Sequence, residues 1–411
     1  MSTPRTVRPE EGDRALPIYA VWEITWRCDQ ACAHCGSRAG PQARERELDT
    51  AELLEVADAL VRLGTREVTL IGGEAYLRSD VYTLIEHLAA RQVRVTMQSG
   101  GRGLSLERVQ RLRDAGLRAI GVSVDGTQAV HDELRANPGS HAAALAAITN
   151  ARSLGMSVSS NTQINQLNMG ELPAIAAELE RAGASIWRPH LTTPMGRAAD
   201  RPEWIVQPYM VLDIIDTLAE LQAQAQARAT DFRITLGNNL GYYGRHEAKL
   251  RARPGVEDRY YMGCQAGRYS LGIESDGVVK ACPSLPTGPY TAGNVREMQL
   301  AELWAHAEVM RFTRDRTREE LWGRCASCYY ADLCRAGCSF TTHTTFGRRG
   351  NNPFCYYRAE RLREQGLREV IVQTHAARGL PYDFGRFELR EQPWSEAPPT
   401  QRPRTRLPLV D

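Results

Sequence analysis

The sequence predicts an α/β fold in which a partial parallel barrel of six β-α units is followed by a cysteine-rich domain. Two observations predict it: apolar runs of five to seven residues alternate with longer segments of helical spacing, and all ten cysteines fall into two groups that are far apart in the sequence. Short apolar runs that alternate with helices indicate parallel strands joined by helical crossovers. Six consecutive units therefore favour one curved parallel sheet.

The elements follow in a regular order. We expect strands at 19–25, 67–71, 94–98, 119–124, 157–161 and 185–190, with helices at 50–63, 81–91, 105–115, 142–154 and 169–182. Asp49 with Glu52, and Ser105 with Glu107, carry the side chains that satisfy free amides at a helix start. Gly64 stands where the first of these helices should end, as glycines commonly do.

Changes in composition divide the chain into four segments. We expect a disordered N-terminal segment over 1–17, a barrel with a capping helix over 18–235, a cysteine-rich domain over 236–360, and a C-terminal helix with a disordered tail over 361–411. The two ends are rich in Pro, Arg, Glu and Thr, a composition typical of poorly ordered termini.

The overall composition excludes several classes of protein. The chain is 42% hydrophobic and 24% charged, which is ordinary for a soluble globular protein. Its apolar runs are shorter than the roughly 20 residues of a membrane span, and a formal charge of +2 gives no electrostatic reason to bind nucleic acid. We therefore expect a cytoplasmic protein with no nucleic-acid or membrane partner.

The cysteines carry the strongest chemical signal. Cys28, Cys32 and Cys35 form C-x3-C-x2-C just after the first strand, and the other seven lie from Cys264 onward. A disulfide framework is disfavoured because a chain of 411 residues can bury a core without staples. Zinc usually takes paired motifs, although it stays an alternative at the later cysteines. Iron-sulfur ligation fits the pattern best.

A glycine-rich turn follows the second strand at Gly72-Gly73-Glu74. The carboxyl ends of parallel strands meet at one edge of a barrel, and functional loops gather there. We therefore expect this turn to lie beside the cysteine triplet.

Together these motifs resemble the radical S-adenosylmethionine (SAM) superfamily: a C-x3-C-x2-C loop after the first strand of a partial (β/α)6 barrel, with Gly-Gly-Glu after the second. The later cysteines resemble the SPASM extension of that superfamily. Their pattern is Cys264-x12-Gly277-x4-Cys282, then Cys325-x2-Cys328-x5-Cys334-x3-Cys338, then Cys355.

The resemblance implies SAM and three [4Fe–4S] clusters as cofactors. Cys28, Cys32 and Cys35 would hold the first cluster and leave one iron for SAM. Of the two auxiliary clusters, one would take Cys264, Cys282 and Cys338, and the other would take Cys325, Cys328, Cys334 and Cys355. Some relatives have a further cysteine six residues after the opening one, where this chain has Ser270, so the fourth ligand of the first auxiliary cluster stays open.

The resemblance also implies a set of SAM contacts. Gly72 and Gly73 would allow close backbone approach, and Glu74 would bind the SAM ammonium. The remaining contacts would be Ser123 and Asp125 at the ribose, Arg135 at the carboxylate, and Gln98 and Asn161 with less specific roles. Family members usually have an aromatic residue before the third cysteine, and this chain has His34.

Many SPASM relatives modify peptides, and the resemblance implies the same reaction class here. We expect a 5'-deoxyadenosyl radical to abstract hydrogen from a ribosomally made precursor peptide. A thioether or carbon-carbon crosslink would then form, with electron transfer to the auxiliary clusters. The alternatives are a radical enzyme acting on a sugar or tetrapyrrole and a non-catalytic iron-sulfur electron carrier. The sequence singles out no catalytic acid or base.

The expected partners follow from this reaction. They are a precursor peptide and a flavodoxin- or ferredoxin-type reductant. The segment before Tyr19 is too short for a fused leader-recognition domain, so a separate leader-peptide-binding protein is a further expected partner.

Overall fold

The computed structural model describes residues 4–252 and 259–397 and contains the predicted barrel. Its strands are β1 Tyr19–Glu23, β2 Glu67–Ile71, β3 Arg94–Ser99, β4 Leu117–Ser123, β5 Ser157–Ile164, β6 Ile186–Leu191, β7 Arg233–Ile234, β8 Ser270–Ile273, β9 Val278–Lys280, β10 Gly293–Asn294, β11 Leu367–His375 and β12 Arg386–Pro393. Its helices are α1 Thr50–Arg62, α2 Val81–Ala90, α3 Leu106–Asp114, α4 Gln128–Arg135, α5 Ser140–Ser153, α6 Leu172–Ala182, α7 Val211–Ala227, α8 Glu247–Arg251, α9 Thr287–Tyr290, α10 Leu300–His306, α11 Glu308–Arg311, α12 Ala331–Cys334, α13 Ser339–Phe346 and α14 Tyr356–Glu364.

Strands β1 to β7 lie side by side in chain order, and each neighbouring pair is parallel. Trp22 of β1 and Leu70 of β2 pair in register and are fully buried in a core that also contains Leu53 of α1 and Leu84 of α2. The predicted α/β fold is thereby confirmed, with one helix of the barrel missed: α4 has only eight residues, too few for a clear helical period.

The cysteine-rich region continues the barrel sheet. Strand β8 pairs parallel with β1, from Tyr19 opposite Ser270 to Trp22 opposite Ile273, and β9 and β10 extend the sheet antiparallel. Gly277 turns the chain between β8 and β9 with φ +90°, a left-handed conformation that glycine adopts without steric cost. The boundary predicted at residue 236 therefore does not separate two sheets, and the shared sheet fixes the later cysteines relative to the barrel.

The expected disorder of residues 1–17 is wrong for the part that the structure describes, 4–17. Arg5 donates to the Glu67 carboxylate, with Nε at 2.9 Å from Oε1, and its guanidinium lies 3.6 Å from the centre of the Tyr19 ring. A short 3-10 turn follows at Pro9–Glu11. Composition favoured disorder, but contacts such as those of Arg5 with a buried carboxylate and an aromatic ring, and of Glu11 with Arg66 at 3.1 Å, join the segment to the barrel.

Replacing Arg5 with Ala is expected to lower the free energy of unfolding by about 1–2 kcal/mol, because it removes a hydrogen bond to a charged group that is largely shielded from water. Urea unfolding followed by circular dichroism measures the change. Arg8→Ala, at an exposed position of the same segment, should stay within about 0.5 kcal/mol of the wild type. Equal effects of the two substitutions would show that the Arg5 contacts do not hold the segment.

The segment predicted over 361–411 as a C-terminal helix with a disordered tail differs in its described part, 361–397, where only the end of α14 is helical. Helix α14 ends at Glu364, and β11 and β12 form a separate antiparallel hairpin from Leu367 to Pro393. Five of the eight residues of β12 are exposed and most are polar, so this strand resembles a tail in the sequence. The predicted tail beyond residue 397 lies outside the described residues. No helix within 4–252 or 259–397 is both long and apolar enough to cross a membrane.

Candidate iron-sulfur and cofactor site

The cysteine triplet lies in the loop that leaves the carboxyl end of β1. Burial, then the Glu74 carboxylate, then the Cys32 thiol raise the pKa of Cys28. Burial raises the pKa of Cys32 to about 11, with Arg135 acting in the opposite direction. The Cys28 and Cys32 thiols are therefore close enough to influence each other, and the raised pKa of each favours its protonated form without a metal. Iron binding would displace their protons, so it would couple to pH and to folding.

The glycine-rich turn after β2 packs directly on this loop. The Gly73 amide donates to the Thr25 carbonyl at 2.9 Å, and the Glu74 amide donates to the Arg27 carbonyl at 2.7 Å. A Cβ atom on Gly72 would lie 2.4 Å from the Thr25 oxygen, and one on Gly73 would lie 2.1 Å from the Arg27 oxygen. Both positions require glycine because the two backbones touch. The close approach is to the cysteine loop; an approach to SAM stays a prediction.

Glu74 is a buried acceptor beside the triplet. Its carboxylate accepts hydrogen bonds from the Ser99 hydroxyl and the Gly100 amide, each at 2.6 Å. Burial raises the pKa of Glu74 to about 7. Ligand atoms of Cys28, Asp29 and Glu74 lie within 4.8 Å of one another. A cation bound here would favour the ionised carboxylate, as the predicted contact with the SAM ammonium requires.

Asp125 is the centre of a buried ion network. Its Oδ2 lies 2.5 Å from a terminal nitrogen of Arg135 and 3.1 Å from Nε2 of His34, and its Oδ1 accepts from the Gln163 amide at 2.8 Å. Burial alone would raise the pKa of Asp125, but Arg135 and then His34 outweigh it and hold that pKa well below its usual range. The carboxylate stays ionised and is shared between two partners.

This network reaches the cysteine loop from two sides. His34 precedes Cys35, and its Nδ1 lies 3.2 Å from the Leu134 carbonyl oxygen. Arg135 places a second terminal nitrogen 3.7 Å from the Cys32 sulfur. The predicted roles of Asp125 at the ribose and Arg135 at the carboxylate of SAM stay predictions, since protein partners already occupy both side chains.

The other predicted SAM contacts lie on neighbouring strands. Asn161 of β5 donates to the side-chain oxygen of Gln98 on β3, and Ser123 of β4 pairs in register with Asn161. A Cβ atom on Gly121 would lie 2.1 Å from the Gln98 oxygen, so a glycine lets Gln98 cross β4. The structure thus brings Gln98, Ser123 and Asn161 together at one level of the barrel.

Several buried polar atoms around the triplet fit a bound polar cofactor. Oδ1 of Asp29, Nε2 of Gln30 and Nε of Arg135 have no hydrogen-bond partner among the described residues. Buried polar groups are nearly always satisfied in proteins. Three thiols with these acceptors and donors form a suitable donor set for an iron-sulfur cluster and the charged end of SAM.

Later cysteines raise one another's pKa within each of the two expected sets, while the ligand sets themselves stay predictions. Burial and the neighbouring Cys264 thiol raise the pKa of Cys282 to about 11, and burial followed by Cys264 raises that of Cys338. In the second group burial and Cys325 raise the pKa of Cys334, and burial and Cys334 raise the pKa of Cys355.

Ser270 lies at the position where some relatives have a further cysteine. Its hydroxyl donates to the Gln265 carbonyl at 3.3 Å and is therefore already hydrogen-bonded within the protein.

Tyr242 lies between the two later groups and was missed by the sequence analysis. Its hydroxyl accepts from the Cys338 amide at 3.2 Å, and its carbonyl lies 3.7 Å from the Cys355 sulfur. The fully buried ring packs against Tyr261 at 4.8 Å between centres. No local pattern marks this residue, because its neighbours are distant in sequence.

Arg197 is a second residue that the sequence did not indicate. Its Nε donates to the Cys32 carbonyl at 2.6 Å and a terminal nitrogen donates to the Ala39 carbonyl at 2.9 Å, so it holds the cysteine loop from the end of β6. Its place just after a barrel strand, at the same edge as the triplet, is the signal that identifies such a residue.

A parallel barrel with a cysteine triplet at its mouth, joined through its sheet to a second cysteine region, defines a class of iron-sulfur enzymes. The sequence model described as the radical SAM superfamily matches residues 22–183, and the model described as an iron-sulfur cluster-binding domain, SPASM, matches residues 264–329. The chain belongs to the radical SAM superfamily and carries a SPASM domain. This membership implies SAM and [4Fe–4S] clusters as cofactors.

Individual relatives differ in what they act on. The chain is 30% identical to an AdoMet-dependent heme synthase of Methanosarcina barkeri, over 83% of this chain and 97% of that protein. It is 31% identical to the mycofactocin maturase MftC of Mycolicibacterium smegmatis, over 82% of this chain and 81% of that protein. Among solved structures, Streptococcus suis SuiB bound to its precursor peptide SuiA aligns with a TM-score of 0.62 at 13% identity, over 83% of this chain and 75% of that one.

Proposed function

We propose that this radical SAM enzyme modifies a ribosomally made precursor peptide and installs an oxidative crosslink, a thioether or a carbon-carbon bond. The similarity to a mycofactocin maturase over most of the chain supports a peptide substrate. In this proposal SAM and the cluster at Cys28, Cys32 and Cys35 supply a 5'-deoxyadenosyl radical when bound. The predicted cradle residues hold SAM in place, and one [4Fe–4S] cluster occupies each of the two later cysteine groups, three clusters in all.

One observation favours a peptide over a substrate with many carboxylates. Five basic side chains near the cysteine loop and near the paired strands β1 and β8 are already bonded to protein acceptors. They are Arg38 with Asp200, Arg44 with Glu23, Arg135 with Asp125, Arg197 with the Cys32 carbonyl, and Lys280 with Glu274. These five cations are not free to pair with the propionates of a tetrapyrrole, whereas a peptide backbone is recognised by neutral hydrogen bonds. Arg27, in the same loop, is exposed and has no side-chain partner among the described residues, so this observation weighs for a peptide only at the five paired positions.

The auxiliary groups explain why the reaction is oxidative. A crosslink removes two hydrogen atoms from the peptide. The deoxyadenosyl radical takes the first as a hydrogen atom, and the second leaves as one proton and one electron. The proposed clusters at the later cysteines would take that electron, and a flavodoxin- or ferredoxin-type protein would reduce the first cluster. A separate leader-peptide-binding protein remains part of the proposal.

A tetrapyrrole substrate is the second candidate, and the 30% identity to a heme synthase over 97% of its length favours it. The test uses anaerobically reconstituted full-length protein with SAM and dithionite. One arm contains iron coproporphyrin III, and the other contains short peptides encoded beside the gene. We expect 5'-deoxyadenosine release above background and a peptide lighter by two hydrogen atoms per crosslink. Turnover of the porphyrin alone would overturn the peptide proposal in favour of the second candidate.

A further inference from the structure

The hairpin of β11 and β12 lies outside both matched family regions, which end at residues 183 and 329. Its base packs against Gln207, whose side chain accepts from the Ile371 amide at 2.7 Å. Its tip, residues 376–385, returns to the mouth of the barrel. There Phe384 forms an antiparallel bridge with Met195, and the Gly196 amide donates to the Asp383 carbonyl at 2.8 Å.

The tip has a defined shape. The second carboxylate oxygen of Asp383 accepts from the Gly379 and Leu380 amides at 2.6 and 3.0 Å, which closes a tight turn. The first oxygen, Oδ1, lies 3.2 Å from one terminal nitrogen of Arg38. The other terminal nitrogen of Arg38 lies 2.7 Å from Oδ2 of Asp200. Because Arg38 lies three residues after Cys35, this ion network attaches the tip to the triplet loop.

Tyr382 contacts both the cysteine loop and the strand that precedes it. Its amide donates to the carbonyl of Gly36, the residue after Cys35, at 3.1 Å. Its hydroxyl donates to Oε2 of Glu23, at the end of β1, at 2.6 Å. Both side chains are buried. A tyrosine 359 residues along the chain from Glu23 is thus bonded directly to the strand that carries the triplet.

The same ring also contacts the auxiliary region. Nζ of Lys280 lies 4.3 Å from the centre of the Tyr382 ring, and the Lys280 side chain is fully buried. Lys280 ends β9, two residues before Cys282. The other oxygen of Glu23 accepts from the Ser275 hydroxyl at 3.1 Å, next to β8. Tyr382 therefore touches both the triplet loop and the strand that leads to Cys282.

The backbone at this position supports a specific role. Tyr382 has φ +57°, a left-handed conformation that bulky residues rarely adopt. Such a conformation persists only where the surroundings over-determine it, and such residues cluster at functional sites. It is held by the contacts with Gly36, Glu23 and Lys280 and by Arg44, whose terminal nitrogen donates to the Tyr382 hydroxyl at 3.4 Å.

We propose that Tyr382 is a positioning residue that fixes the triplet loop relative to the first auxiliary site at Cys264, Cys282 and Cys338. This proposal rests on the oxidative function above. The substrate loses one hydrogen atom to the deoxyadenosyl radical, then one electron to the auxiliary cluster and one proton to solvent as the new bond forms. The placement held by Tyr382 makes that electron transfer efficient.

The first measurement needs no substrate. In full-length protein reconstituted with iron and sulfide and reduced with dithionite, pulsed EPR reports the magnetic interaction between reduced clusters. Tyr382→Ala removes the ring and the hydroxyl and should change this interaction, while Tyr382→Phe keeps the ring over Lys280 and should lie nearer the wild type. Tyr209→Phe, at the base of the hairpin, is the matched control and should leave the interaction unchanged.

The second measurement reports the attachment of the tip. Trypsin cleavage after the exposed Arg378, followed by mass spectrometry, should accelerate about tenfold or more in Tyr382→Phe, because the lost hydrogen bond to a carboxylate raises the open population. An unchanged EPR interaction in Tyr382→Ala would overturn the proposal, as would cleavage in Tyr382→Phe at the rate of the Tyr209→Phe control. Neither result depends on whether the substrate is a peptide.

The third measurement uses the peptide arm of the substrate test. The amount of crosslinked product per 5'-deoxyadenosine released should fall in Tyr382→Phe and fall further in Tyr382→Ala, since more substrate radicals are quenched before they are oxidised. A ratio that stays at the wild-type value would contradict the positioning role. A failure of the peptide substrate itself is recognised separately, because it gives no product with the wild type.

Discussion

Replacement of Cys32 with Ala is expected to reduce SAM cleavage to the background level and to remove the iron of one cluster from the reconstituted protein. Cys32 is one of three thiols in a loop with no fourth cysteine nearby, and it is the one that Arg135 touches. The protein supplies position and charge, and the cofactor supplies the radical. Without the cluster no residue of the chain replaces that chemistry. Iron content and 5'-deoxyadenosine, measured by chromatography, test the expectation.

Cys355→Ala is the matched control, because it is the same substitution at the second auxiliary group. It should also lose the iron of one cluster, yet it should keep measurable SAM cleavage while product formation disappears. Solubility and thermal unfolding must be compared in both variants, since cluster ligation also contributes to folding. If Cys32→Ala cleaved SAM as well as Cys355→Ala does, the assignment of the triplet to the SAM-binding cluster would be wrong.

Replacement of Asp125 with Asn is expected to lower the free energy of unfolding by about 3–5 kcal/mol, the cost of leaving one member of a buried ion pair without its partner. Asp125 is fully buried, and the Arg135 side chain is one-tenth exposed. The substitution keeps the shape and removes the charge that Arg135 and His34 share. Asp114→Asn, at a side chain that is 56% exposed, should change stability by less than about 0.5 kcal/mol. Urea unfolding at pH 7.5 measures both.

The pH dependence gives a second criterion. The pKa of Asp125 is held low in the folded state, so its contribution is fully present above the unfolded-state pKa of about 3.9. As the pH falls below that value the unfolded state takes up protons first, and the advantage of wild type over Asp125→Asn should shrink. A difference that stays constant down to pH 3 would show that the effect of the substitution is steric and not electrostatic.

The strands and the two cysteine groups were predictable because each has a pattern within a short stretch of sequence. Apolar strands alternate with amphipathic helices from Tyr19 to Leu191, and each such run can be recognised from its own residues. The C-x3-C-x2-C motif likewise lies within one loop. Gln98, Ser123 and Asn161, which the resemblance to the superfamily implied, fall on the adjacent strands β3, β4 and β5.

What the sequence could not determine is where distant segments return. Arg5 and Tyr382 lie in or beside stretches whose composition resembles exposed termini, yet both contact the barrel, one at Glu67 and the other at Glu23. Pairing between side chains 62 and 359 residues apart leaves no periodic pattern in the sequence, because the bonded groups are single side chains. The amino-acid sequence by itself determined the barrel, the order of its strands and the cysteine groups. Only the tertiary structure decided which buried charges meet at Asp125 and which hairpin reaches the cysteine loop, because burial and pairing are properties of the packed chain.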